Sequence, residues 1–168
     1  MIAERIAEFD RRSLVLALQE ITEELTADVP AVALPLDQDE AFELLAALLR
    51  AGGYTGTELT PLDETSQYAA ATRVLTAVAR DAATRKIAEP ILADPPTDTR
   101  LGAELAVPAL AVAAGVVGWL QTKVDLRIKR KDGKTEFEFR VTKDAASASV
   151  LNQLATAVLR MWNGPPQQ

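Results

Sequence analysis

Residues 124–141 read VDLRIKRKDGKTEFEFRV, and this stretch decides the fold. Asp132-Gly133 stands between two runs that alternate apolar and charged residues. That combination signals a two-residue type I′ turn, whose central residues both need φ > 0. The turn fixes the register of the hairpin. Val124 then faces Val141, Leu126 faces Phe139, and Ile128 faces Phe137 on one side of the ribbon. On the other side Asp125 faces Arg140, Arg127 faces Glu138, and Lys129 faces Glu136. Every pair on the polar side joins opposite charges, which adjacent strands favour. A slip of one residue would exchange the two faces and lose both patterns at once. One face of the hairpin is therefore expected to pack on the core and the other to meet water. A lone hairpin is marginal in stability, so helices must cover it.

Helices flank it on both sides. Upstream, Leu105–Leu120 (LAVPALAVAAGVVGWL) is an uncharged run of sixteen residues. At about 1.5 Å per residue it reaches roughly 24 Å, short of the roughly 30 Å hydrocarbon core of a bilayer. With Pro108, Gly115 and Gly118 inside it, the run reads as a buried core helix. Membrane insertion is the alternative. The spacings Ala111–Gly115 and Ala114–Gly118 allow close helix approach in either setting. Downstream, Leu151, Leu154, Val158 and Met161 step by three, four and three, giving an amphipathic helix over about 144–162 that Asn163-Gly164-Pro165-Pro166 ends.

The N-terminal half is helical by the same reasoning. Ile2, Ile6 and Phe9 form one stripe, and Leu14, Leu18, Ile21 and Leu25 a second, with a phase slip near Arg11-Arg12. Leu14–Leu18 also alternates, so a strand competes there. Val29–Leu36, with two prolines, suggests an extended segment or an edge strand. Asp37 and Glu40 resemble a capping box before an almost wholly apolar helix over 41–51, which Gly52-Gly53 stops. Thr60-Pro61-Leu62-Asp63 suggests a helix start with Thr60 as N-cap and Pro61 in the first turn. Tyr68, Ala71, Leu75, Val78 and Ala82 form a seam of about two heptads, with Pro90 expected to end or kink the helix. The segment Ala93-Asp-Pro-Pro-Thr-Asp98 is the best linker. It divides a helical region, 1–93, from a region of apolar helix, hairpin and terminal helix, 99–163, unless both build one domain. The fold class is α+β, mostly α, with helices packed around a C-terminal hairpin that a terminal helix follows.

Composition closes off much chemistry. The 168 residues hold no Cys and no His. Disulfides, thiolate nucleophiles and His-based triads cannot form within the chain, and the commonest metal ligand is missing. Aromatic residues make up only 5%, so Leu, Val and Ala must fill the core. The formal net charge of −6 opposes nonspecific binding to nucleic acid. The N-terminal residues alternate charge and apolarity without the continuous apolar run of a signal peptide, so a cytoplasmic location is expected.

Three groups invite a chemical reading, and each has a plainer one. The carboxylates Asp37, Asp39, Glu40 and Glu43 gather at a helix start, where they favour its positive end. Gly52-Gly53-Tyr54-Thr55-Gly56 lacks the Gly-Lys-Ser/Thr of a phosphate loop and reads as a helix stop and turn. Lys129-Arg130-Lys131 reads as a solvated hairpin tip. No catalytic, cofactor-binding or metal site is expected.

The order of features from 102 onward, GAELAVPALAVAAGVVGWLQTKVDLRIKRKDGKTEFEFRV followed by the helix from Ala145 to Arg160, resembles the effector-associated constant component family of bacterial conflict systems. The resemblance covers about residues 102–160. It implies a small non-catalytic module that accompanies peptidase or NTPase-linked effectors in defence gene neighbourhoods, and it carries over no functional residue. The expected function is a non-enzymatic interaction or adaptor module whose partner is a protein, either an effector or a second copy in a homo-oligomer, with no nucleic acid and no small-molecule substrate. Trp119, Leu126, Ile128, Phe137, Phe139 and Trp162 are the candidate interface residues.

Overall fold

A computed structural model describes residues 2–30, 34, 35, 37–55, 57–96, 108–141 and 144–164. The elements run α1 (Ile2–Ala7), α2 (Arg11–Leu25), α3 (Gln38–Ala51), α4 (Glu64–Arg80), α5 (Arg85–Ala93), α6 (Pro108–Gln121), β1 (Asp125–Lys131), β2 (Lys134–Val141), β3 (Asp144–Ala145) and α7 (Ala148–Asn163). The class is α+β and mostly α, with the hairpin followed by the terminal helix.

Ile2 and Ile6 lie in α1 while Phe9 falls past its end, the second stripe lies in α2, and Leu14–Leu18 is helical. The phase slip falls where Asp10 turns extended and its Oδ1 accepts from the Ser13 N–H at 2.7 Å. That side chain satisfies a donor left open at the start of α2. Asp37 does the same for α3, accepting from the Glu40 N–H at 2.9 Å. The Glu40 carboxylate also accepts from Arg130 of β1.

Two expectations about α4 are corrected. Its N-cap is Asp63, whose Oδ1 accepts from the Ser66 N–H at 2.8 Å. Thr60 is drawn away, giving its N–H and hydroxyl to Asn163 Oδ1 at 3.1 and 2.8 Å. The helix ends at Arg80, and Pro90 sits inside α5. Asp81 breaks the run by accepting from the Ala83 N–H at 2.8 Å, while the buried Thr84 hydroxyl donates to Val78 O at 2.6 Å. Such short polar side chains compete with the backbone ladder. Ala82 thus lies past the helix and exposed, and the buried stripe of α4 widens to Ala70, Ala71, Val74, Leu75, Val78 and Ala79.

Helix α6 is the centre of the core. It packs on α2 and α4, and also on α3 and α7. From Ala111 to Leu120 it is buried except at Ala114, which is half-buried. Gly115 is the point of closest approach: a Cβ there would lie 2.8 Å from Leu18 Cδ1 and 3.3 Å from Val74 Cγ1. No described helix is long and apolar enough to cross a membrane. Residues 105–107 of the expected run, part of the 29–36 segment and the end of the 93–98 linker lie outside the described residues. One hydrophobic cluster draws on both sides of that linker, from Ile6 to Trp162.

Gly52 is a second close approach. A Cβ there would stand 2.7 Å from Leu151 O and 2.8 Å from the Ala155 methyl group, so α3 ends against the backbone of α7. Asn152 Nδ2 donates to Gly52 O at 2.8 Å across the same contact.

Candidate functional site

The hairpin forms in the expected register over Asp125–Arg140, with Leu126 opposite Phe139 and Ile128 opposite Phe137. Asp132 (φ 53°) and Gly133 (φ 76°) form the turn with the required positive angles. The expected Val124–Val141 pair does not form. Val124 is buried before the strand begins, whereas Val141 pairs with Asp144 of β3 and is 42% exposed. That short third strand also moves the start of the terminal helix to Ala148, where the Ser147 hydroxyl caps it by accepting from the Val150 N–H at 3.2 Å.

The polar face pairs its charges differently from the ladder. Glu138 meets Arg140, two residues along its own strand, at 2.8 Å, and Lys129, diagonally across, at 3.6 Å. Side chains of this length reach past the directly opposite residue. Lys129, Arg130 and Lys131 are exposed as expected of a solvated tip, but Arg130 is also tied to the body of the fold. Its Nε donates to Glu40 Oε2 at 3.0 Å, its Nη2 bonds Glu40 Oε1, and that same Nη2 donates to Leu34 O at 3.0 Å. Donating to the Glu40 carboxylate, and sitting beside its charge, raises the Arg130 pKa against the opposing effect of desolvation. This forked contact ties the hairpin to the start of α3.

The six candidate interface residues divide into two groups. Trp119, Leu126, Phe139 and Trp162 are buried in the core, Trp162 to 1% exposure. Ile128 and Phe137, toward the turn, are half-buried. The sheet order is β1-β2-β3, so β1 is the edge strand among the described residues. Its solvated face carries Asp125, Arg127, Lys129 and Lys131, three cations to one anion.

A second surface escaped the sequence reading. A shallow groove of about 600 Å³ is lined by Thr72, Arg73, Thr76, Ala77 and Arg80 of α4 and by Ala157, Arg160 and Met161 of α7, with Asp81 and Trp119 beside them. Positions 73, 77 and 80 recur at helical spacing next to the buried stripe, and that periodicity was the available signal. Arg73 is half-buried and tied down, its Nε donating to Met161 O at 2.9 Å and its Nη2 to Trp162 O at 2.7 Å. Burial lowers its pKa. Asp81 Oδ2 accepts from Trp119 Nε1 at 3.1 Å and pairs with Lys123. Burial alone would raise the Asp81 pKa. Hydrogen bonds from Lys123, the Ala83 N–H and Trp119, together with the Lys123 charge, outweigh burial and lower it. Arg80 and Arg160 are exposed, and their guanidinium groups have no partner among the described residues.

Among the described residues no three Asp or Glu side chains gather to hold a metal ion. Comparison of the chain with protein-family models, curated proteins and solved structures finds no match.

Proposed function

We propose that this chain is a non-enzymatic protein-interaction module, an adaptor that presents its hairpin to a protein partner. The observation that carries the reading is the position of β1 as the edge strand among the described residues, in a hairpin rooted in the core by Leu126 and Phe139. Alternation from the turn points the backbone N–H and C=O groups of Leu126 and Ile128 away from β2. An edge of that kind accepts an added strand. The half-buried Ile128 and Phe137 supply apolar surface beside it. The excess of cations on β1 favours a partner strand bearing carboxylates over a second copy of β1. The resemblance of residues 102–160 to the effector-associated constant component family directs the search toward effectors of a bacterial conflict system.

The test is sedimentation velocity of the purified chain, alone and with the purified products of neighbouring genes. A specific complex should bury roughly 1,200–2,000 Å² in total. Ile128→Asp should abolish it in a chain that circular dichroism shows to be still folded, with some loss of thermal stability because Ile128 is half-buried. A chain that stays monomeric with every neighbour, or a complex indifferent to Ile128→Asp, overturns the reading. So does turnover of a substrate by the isolated chain.

A further inference from the structure

The groove between α4 and α7 is a second concave surface, and its chemistry narrows what could occupy it. Almost every polar group that lines it is already satisfied within the fold. The Thr72 hydroxyl donates to Tyr68 O at 3.0 Å and the Thr76 hydroxyl to Thr72 O at 2.8 Å. Arg73 is held by two carbonyls at the end of α7, and Trp119 and Asp81 satisfy each other with Lys123. What faces a ligand is therefore apolar surface, chiefly the half-buried Ala77 and Ala157 over a floor formed by the buried Met161, bordered by two guanidinium groups without a partner among the described residues. On a chain of net charge −6, this groove carries three arginines to one aspartate.

A small phosphate or carboxylate fits such a surface poorly, because no fan of backbone N–H groups converges on it. A nucleic acid needs a longer track of cations. The α4 wall from Thr72 to Arg80 is about 12 Å long at about 1.5 Å per residue, or about two helical turns. A helix laid between two helices buries an apolar stripe and leaves its flanking residues at the rim. With arginine at the rim, those flanking residues must be carboxylates.

We propose that the α4–α7 groove binds an acidic amphipathic helix of a partner protein, with its apolar stripe on Ala77, Ala157 and Met161 and its carboxylates on Arg80 and Arg160. The inference does not rest on the hairpin. The two surfaces lie on different elements and respond to different substitutions.

The probe is a fluorescein-labelled amphipathic peptide of about 18 residues, long enough to hold a helix, with a Leu stripe flanked by Glu. Its control replaces every Glu with Lys. Anisotropy measures binding, and amide shifts of the isotope-labelled chain locate it. The acidic peptide should bind saturably, shift Ala77, Ala157 and Met161, and weaken as salt rises. The double variant Arg80→Glu/Arg160→Glu should lower affinity about tenfold or more with an unchanged thermal melt, since both residues are exposed. Ile128→Asp should leave peptide binding intact, which separates this result from the fate of the hairpin. Equal binding of the Lys peptide, equal binding by the double variant, or no saturable binding overturns the proposal. Binding to phosphatidylglycerol vesicles without binding to the acidic peptide also overturns it, and reassigns the groove to a lipid surface.

Discussion

Gly115 and Gly118 lie three residues apart in α6, yet alanine should act on them with opposite sign. A Cβ at Gly115 would sit 2.8 Å from Leu18 Cδ1 and 3.3 Å from Val74 Cγ1. Both neighbours are at 1% exposure or less, so neither has open space to move into. Overpacking of this kind costs about 1–3 kcal/mol, against about 1 kcal/mol gained by replacing a helical Gly with Ala. Gly115→Ala should therefore lose about 1 kcal/mol net, and Gly115→Leu more. A Cβ at Gly118 would meet Thr26 and Leu25 at 3.6–3.7 Å, an ordinary contact. Gly118→Ala should gain up to about 1 kcal/mol from helix propensity alone. Urea melts followed by circular dichroism measure both, through the midpoint at constant slope. Adding Leu18→Ala makes the assignment specific. That substitution is costly alone, but it removes the atom that a Cβ at 115 would strike, so the two changes should couple favourably by at least about 0.5 kcal/mol. A Gly115→Ala chain as stable as the parent, or strict additivity with Leu18→Ala, would refute the account of α6 as a helix packed at its glycine.

Gly133→Val should lower the melting temperature, because φ of 76° at the turn opposes a β-branched residue, whereas Gly53 and Gly164 lie outside the hairpin and leave its register untouched. Arg73→Ala should cost about 1–2 kcal/mol by denaturant melt, since it frees two carbonyls at the end of α7, and Arg73→Lys should recover only part of that because a lysine lacks the two-pronged donor. Asp81 has a lowered pKa in the fold, so its contribution to stability is complete above the unfolded carboxylate value of about 3.9 and is lost as pH falls through the lower folded value. Denaturant midpoints measured from about pH 6 to pH 3 should fall less steeply in Asp81→Asn than in the parent, with Asp10, Asp63 and Glu138, also lowered, contributing to the slope that remains.

What could be read from the sequence was whatever adjacent residues decide among themselves. The hairpin register follows from Asp132-Gly133 and a period of two, and both are local. The burial of Ala111–Leu120 follows from composition and length. The errors fall where a distant residue intervenes or where two local signals compete. Thr60 and Asp63 are both good N-caps, and only Asn163, a hundred residues away in the chain, decides between them. The break at Asp81 was hidden because the apolar seam runs on to Ala82, while Pro90 offered a louder stop signal. The directly opposite charges on β1 and β2 were correctly placed, yet rotamer reach, not register, chose Arg140 and Lys129 for Glu138.

The arginines show most plainly why the candidate site could not be read in advance. In sequence each is a cation on a helix or, for Arg130, at the hairpin tip, and the default reading is a solvated face. In the fold they sort by partner. Arg5 donates to Leu92 O at 3.0 Å and also bonds Ala93 O, closing the end of α5 from another helix. Arg73 closes α7 in the same way, and Arg130 ties the hairpin to α3 through Glu40. Each joins residues that lie more than eighty positions apart, so nothing within a helical turn announces it. A core built on Leu, Val and Ala with few aromatics packs its helices closely but leaves their C-terminal carbonyls to be satisfied by other means. Long guanidinium side chains reach across and do so. Arg80 and Arg160 differ in that their guanidinium groups make no hydrogen bond or ion pair among the described residues, although they border the same groove as Arg73. Two guanidinium groups without a partner among the described residues, beside a fixed one and over apolar surface, are what the proposed acidic helix would use.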